Sequence, residues 1–129
     1  MIRDGILNPD INALISRVRR TNTLVIADRG FPYWNEIETV DISLTDDLPQ
    51  VLDVLRAVEK RCGIGQAFMA EEFQQENTLA IQSTFQEALN GTEIAYEPHD
   101  EFKRRVPEAV GLIRTGDTIQ YANIIIESA

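Results

Sequence analysis

Apolar residues recur along this chain at two spacings, and the spacing switches repeatedly from one end to the other. Ile11, Leu14, Ile15 and Val18 fall at i, i+3, i+4 and i+7, which predicts a helix with Asn8 as its cap and Pro9 in its first position. Arg17, Arg19 and Arg20 then lie toward its C-terminal end, where cations suit the helix dipole. Thr21-Asn22 turns the chain into Thr23-Leu24-Val25-Ile26-Ala27, a short apolar run typical of a buried strand, which Asp28-Arg29-Gly30 closes. A second strand is predicted around Thr39 to Leu44. A helix follows, capped by Asp46 or Asp47, with Pro49 in its first turn, Val51, Val54, Leu55 and Val58 on one face, and Gly63 as its stop.

The same alternation fills the second half. Gln66 to Ala70 reads as a strand, and Asn77 can cap a helix carrying Ile81, Phe85, Ala88 and Leu89 on one side, ended by Asn90-Gly91. Thr92 to Tyr96 is a strand candidate, and Asp100 to Val106 a short helix broken by Pro107. Val110 to Arg114 and Tyr121 to Ile126 read as a hairpin around Thr115-Gly116-Asp117. Helices alternating with strands predict an α/β fold, a mostly parallel sheet with that hairpin as its antiparallel edge. Ligands then gather at the carboxyl ends of strands. With no repeat, low-complexity tract or linker, residues 1–129 are expected to form one domain.

Composition narrows the functional classes. The 129 residues carry 12 Lys+Arg against 21 Asp+Glu, a net charge of -9, which repels phosphate backbones and anionic lipid. Neither nucleic acid nor a membrane is therefore expected as a partner. Hydrophobic residues make up 43%, enough for a core at this length. Cys62 is the single cysteine, so an internal disulfide and a Cys-rich zinc site are excluded. No long apolar run or secretory signal opens the sequence, which predicts a reduced, cytoplasmic protein; Asn90-Gly91-Thr92 accordingly reads as a helix stop rather than a glycosylation site.

There is no Walker loop, G-x-G-x-x-G, G-x-S-x-G or H-E-x-x-H, so the usual signals for nucleotide, dinucleotide, elbow-type hydrolase and zincin chemistry are missing. His99, flanked by Asp100 and Glu101, is the only histidine. Alone it falls short of a metal site, and it could cap a helix as readily as work in a reaction. Asp28 ends an apolar strand, where a carboxylate suits a crevice better than a core, though a turn role beside Gly30 is equally open. Tyr121 and Asn123, two apart, would share one face of a strand and offer a phenol and an amide to a sugar; an ordinary edge strand is the plain alternative. Tyr33-Trp34 could stack on a sugar or pack its loop down. Phe68 and Met69 are expected in the core.

Taken together, Asn8-Pro9-Asp10-Ile11, Ile15-Ser16-Arg17, Thr21-Asn22-Thr23-Leu24-Val25, Asp28-x-Gly30-x-Pro32, Ala70-Glu71-Glu72, His99-Asp100-Glu101-Phe102-Lys103, Ile113-Arg114-Thr115-Gly116 and Tyr121-Ala122-Asn123-Ile124-Ile125 form one ordered pattern. By it the chain resembles the ribose pyranase and fucose mutarotase family over almost its whole length. The resemblance implies a three-layer α/β/α sandwich with about six strands, assembled into ring-like homo-oligomers, commonly decamers, with active sites where subunits meet. It implies an isomerase that interconverts pyranose, furanose or anomeric forms of a monosaccharide and needs no cofactor and no metal. Carried over by motif, Asp28 and His99 would contact the sugar from one subunit, and Tyr121, Asn123 and the backbone of Ala122 from its neighbour.

One departure stands out: the family's proton-donating histidine falls at Arg20. A guanidinium stays charged and cannot pass on a proton, so Arg20 could only bind ligand or offset negative charge, and proton transfer would fall to His99 or Asp28. Arg29, where ribose-type members usually carry a small residue, is a second added cation. Two cations beside the pocket would suit an anionic sugar derivative; alternatively Arg20 pairs with Asp28 or faces solvent. Three functional readings follow. The first is an isomerase, the second a catalytically silent sugar-binding or regulatory protein, and the third an oligomeric partner built on Ile124-Ile125-Ile126.

Overall fold

The computed structural model describes every residue from Met1 to Ala129. Six strands, β1 (Thr23–Ala27), β2 (Glu38–Asp41), β3 (Ile64–Ala70), β4 (Ile94–Glu97), β5 (Gly111–Arg114) and β6 (Ile124–Ser128), form one sheet in the order β2-β5-β1-β6-β3-β4. β1, β2 and β5 pair parallel, as do β3 and β4, while β6 runs antiparallel to both β1 and β3. Five strands thus point one way and β6 alone runs back between them.

This corrects the expected terminal hairpin. β5 and β6 are not neighbours; β1 lies between them, and β6 occupies the middle of the sheet rather than an edge. The reason lies in burial. Ile124 and Ile126 pack into one core and Ile125 into the other, and with both edges paired to β1 and β3 this apolar run is enclosed on all sides.

The two faces are separated residue by residue. Leu24, Ile26, Ile113, Ile124, Ile126, Ala67 and Met69 join the larger core beneath α1 (Pro9–Ile15), α2 (Val51–Glu59) and α4 (Leu79–Ala88). Val25, Ala27, Leu112 and Ile125 join Phe31, Phe102 and Val106 in a second core under α5 (His99–Arg105) and the turn that follows it. The result is an α/β/α sandwich. Side chains such as Ile26 and Ile125 are fully enclosed, and truncating either to alanine costs about 2–5 kcal/mol through lost transfer energy and the cavity left behind. On the larger face α1 comes so close to β5 that a Cβ on Gly111 would lie 2.5 Å from Leu14 Cδ1.

Several boundaries differ from the sequence reading for local reasons. α2 is preceded by Gln50, whose N–H donates to Asp53, whereas Asp47 sits in the preceding turn at φ 62 and spends its carboxylate on Thr118. Thr78, not Asn77, caps α4; the Asn77 amide instead donates to the carbonyls of Phe73 and Gln120. His99 is already the first residue of α5. A short helix, α3 (Glu71–Glu76), carries no periodic apolar signal because Phe73 is its one buried residue. Phe68, expected in the core with Met69, is half-buried under the Arg105 guanidinium, 3.9 Å from the ring centre.

Candidate active site

Parallel strands deliver their carboxyl ends to one edge of a sheet, and the reversed β6 delivers its amino end to the same edge. Asp28 follows β1, Glu71-Glu72 follow β3, His99 follows β4, and Tyr121-Ala122-Asn123 lead into β6. At that edge Asp28, Gly30, Phe31, Pro32, His99, Gln120, Tyr121 and Asn123 line an open cleft of about 260 Å³. It sits where the fold places ligand crevices, outside the strand carboxyl ends.

Asp28 is the best-held group in it. Its N–H donates to Asn123 Oδ1 at 2.7 Å, and Asn123 Nδ2 donates back to Asp28 Oδ2 at 3.2 Å. The Gly30 N–H reaches Asp28 Oδ1 at 2.9 Å. Burial nevertheless raises the affinity of the carboxyl for a proton, with a smaller push from the charge of Asp117, against the hydrogen bonds that favour the ionised form. A carboxyl whose proton affinity is raised is better suited to give and take a proton than one at its ordinary value.

His99 stands beside it at the start of α5. Its backbone N–H is held by both carboxylate oxygens of Glu72, each at 3.2 Å. The ring meets Tyr121 edge-on, with centroids 5.2 Å apart at 80°, and stacks on Phe102 at 6.2 Å. Nδ1 is covered and has no partner, and the residue lines the cleft. Tyr121 precedes the strand instead of lying in it, at φ 56, a left-handed conformation uncommon for a tyrosine. That turn, not a shared strand face, directs its ring at His99. Strain of this kind persists where surrounding structure enforces it, often at functional sites.

The structure separates the candidate residues into two groups. Asp28, His99, Tyr121 and Asn123 line one cleft within a single chain. Asn123 is 4% exposed and both ends of its amide are engaged by Asp28, so it anchors the carboxylate. Ala122 is fully buried and its N–H donates to the Ile119 carbonyl. Arg29 does not line the cleft; its guanidinium pairs with Asp46 at 2.7 Å on the surface. Arg20 lies before the amino end of β1, where the next residue, Thr21, donates its N–H to the Ser128 carbonyl. β1 spans roughly 16 Å at about 3.3 Å per residue, so Arg20 and Asp28 sit at opposite edges of the sheet. Arg20 is exposed, forms no ion pair with Asp28, and cannot reach the cleft of its own chain.

Sequence reasoning passed over three supports of the cleft. Glu72 holds the first turn of α5; Arg114 donates to the Phe31 carbonyl at 2.6 Å and so fixes the loop after Asp28; Gln120 lines the cleft beside Tyr121. Glu72 and Arg114 fall inside quoted motifs, but nothing in their spacing shows which distant backbone groups they hold. No three His, Cys, Asp or Glu side chains gather as metal ligands would. Trp34 packs on Phe31, with centroids 6.4 Å apart, and ties its loop to the smaller core.

The relatives carry the same architecture. A protein of Geobacillus kaustophilus named D-ribose pyranase is 38% identical over 128 residues, covering 99% of this chain and 93% of that protein. The structure of Bacillus subtilis RbsD complexed with D-ribose superposes with a TM-score of 0.92 at 29% identity, covering 100% of this chain and 98% of the other. The fucose mutarotase of Streptococcus pneumoniae, solved with L-fucose, shares the fold at a TM-score of 0.80 and 19% identity, over 95% and 93% of the two chains. With a match to the family description that runs over residues 1–129, from the helix before β1 to the strand after the Tyr121 turn, the chain belongs to the RbsD / FucU transport protein family.

Proposed function

We propose that this single-domain protein is a cofactor-independent isomerase that interconverts the pyranose, furanose or anomeric forms of a neutral monosaccharide of the ribose type. The observation that carries this is that one cleft is lined by both Asp28, a carboxyl of raised proton affinity, and the His99 imidazole, two groups able to give and take protons from a small polar ligand bound there. Ring opening needs both. A proton leaves the anomeric hydroxyl, the bond from the anomeric carbon to the ring oxygen breaks, and that oxygen receives a proton. Closure on the other face, or by another hydroxyl, reverses the steps, so protons balance over the cycle. Asn123 keeps Asp28 oriented, while Tyr121 and Gln120 offer hydrogen bonds to hydroxyls. Within one chain the cleft holds a carboxylate and no lysine or arginine, and the similar Bacillus subtilis RbsD is solved with the neutral sugar D-ribose, which supports a neutral sugar over the anionic derivative expected from Arg20 and Arg29.

Arg20 enters this reading through a neighbouring subunit. It stands exposed at the edge of the sheet opposite the cleft, so in a ring of copies, commonly a decamer in this family, it would complete the next cleft, where it would bind hydroxyls or offset charge rather than move a proton. Tyr33, Leu44 and Leu48 are large apolar residues left exposed in loops that flank Asp28 and the 115–118 turn, as a covered subunit contact would require. No helix is long and apolar enough to cross a membrane, and a cytoplasmic site of action fits the single reduced Cys62. The second reading, a silent sugar-binding protein, is favoured by one observation: Arg20 stands where the family resemblance implies a proton-donating histidine.

NMR exchange spectroscopy separates the two. Magnetisation transfer between ring forms of ribose, then fucose and a sugar acid, is followed with and without the protein. Protein-dependent exchange of a neutral sugar is the expected result; ligand-dependent stabilisation without exchange would favour the binding protein. Light scattering on the same sample reads the assembly.

A further inference from the structure

Asp117 is fully buried, yet none of the roles above uses it. Its Oδ2 accepts the N–H of Val51, the first residue of α2, at 2.8 Å, and its Oδ1 accepts that of Ile119 at 2.8 Å. Its own carbonyl accepts the Arg29 N–H at 3.1 Å, directly after Asp28. On the other side its N–H donates to Thr115 Oγ1, and that hydroxyl donates to the Ala27 carbonyl, directly before Asp28. The turn carrying Asp28 is therefore gripped from both flanks by one short segment, and Asp117 pins that segment to the start of a helix, where negative charge is favoured.

We propose that Asp117 is a positioning residue for the reaction: its buried carboxylate locks the Asp28 turn against α2, and the like charge it brings to Asp28 displaces the pH range in which the cleft works by a small amount added to the effect of burial. This rests on reading Asp28 as an acid–base group. Both Asp117 oxygens accept backbone N–H groups, an arrangement that suits the ionised form. Its surroundings are acidic on every side: Asp28 from the β1 turn, Asp47 from the loop before α2 and Asp53 from the first turn of α2. The Arg29 guanidinium is committed to Asp46, and neither Asp28 nor Asp117 has a paired cation. Burial raises the proton affinity of both carboxyls, and the Asp117 charge adds to the rise at Asp28. Removing that charge lowers the pH at which Asp28 titrates, whether Asp28 serves as acid or base.

The test compares Asp117→Asn with Thr115→Val, which removes a hydrogen-bonding link of the same segment but keeps the charge. Carbon-13 NMR titration of the Asp28 carboxyl is read alongside the pH profile of sugar exchange. The expected result is a downward displacement of the Asp28 titration and of the matching kinetic limb in Asp117→Asn, with Thr115→Val losing rate while its limb stays in place. Equal rate losses with no displacement in either variant would overturn the proposal and leave a structural role alone. Should Asp117→Asn not fold, the parent protein decides: a second inflection in the Asp28 curve as Asp117 ionises is expected, and a single independent titration would overturn the idea. Because the carboxyl titration needs no turnover, absence of exchange in the parent would strike the isomerase reading, not the coupling.

Discussion

Asp28 and Asn123, 95 positions apart in the chain, clasp each other at two points, the Asp28 N–H to Asn123 Oδ1 at 2.7 Å and Asn123 Nδ2 to Asp28 Oδ2 at 3.2 Å. The clasp exists because β1 and β6 are antiparallel neighbours in a register that pairs Ile26 with Ile124. One step beyond that pair, the end of one strand meets the start of the other. Asn123→Ala leaves the part-buried Asp28 N–H without its partner and frees the carboxylate. A stability loss of about 1–3 kcal/mol is expected in urea unfolding, together with a fall in sugar exchange.

Asp28→Asn is expected to lower exchange by about 10²–10⁴ while leaving the fold intact, since the amide oxygen can still accept the Gly30 N–H although its nitrogen cannot accept from Asn123 Nδ2. Its stability has a definite sign. The folded carboxyl binds its proton more tightly than the ordinary value of 3.8, so its contribution is fully present below that value and is lost as pH rises through the folded one. The variant is spared that loss. Its melting temperature relative to the parent should therefore be higher at pH 7 than at pH 4; the opposite trend would mean that Asp28 is not desolvated in the folded protein.

Glu72 accepts the His99 N–H with both oxygens, and α5 has no other side-chain cap at its start. Glu72→Ala should cost about 1 kcal/mol, within the usual range for a lost helix cap, and lower the exchange rate by loosening His99. Glu72→Gln retains an acceptor and should recover most of both. Failure of the glutamine variant to rescue would point to charge rather than position.

Arg20→His places an imidazole at the exposed edge opposite the cleft. If a neighbouring subunit brings this position to the next cleft, exchange of ribose should rise, and the rise should vanish in a variant that cannot assemble. Melting temperature should barely change, because Arg20 is exposed and unpaired. An unchanged exchange rate in an intact oligomer would count against the position taking part in proton transfer.

Much of the fold was legible because it is written in local periodicity. The 3.6-residue spacing of Ile11, Leu14 and Ile15, and of Val51, Val54, Leu55 and Val58, marks helices packed on one side, and the five-residue run at Thr23–Ala27 marks an interior strand. The helix at Glu71–Glu76 stayed hidden because one buried Phe73 makes no period. Among the site residues, Asp28 and His99 could be singled out by their positions at element ends. Glu72, Arg114 and Asp117 could not, since their side chains hold backbone groups between 27 and 83 positions away.

The sequence by itself determined the class of fold, a net charge of -9 and a short set of candidate polar residues. Tertiary structure alone decided that β6 runs through the middle of the sheet, and with it where every candidate falls. That single reversed strand carries Tyr121 and Asn123 to the edge where Asp28 and His99 end up, and it leaves Arg20 at the far edge. Strand order depends on which faces are buried against which neighbours, a property of pairs of distant segments that no local spacing encodes.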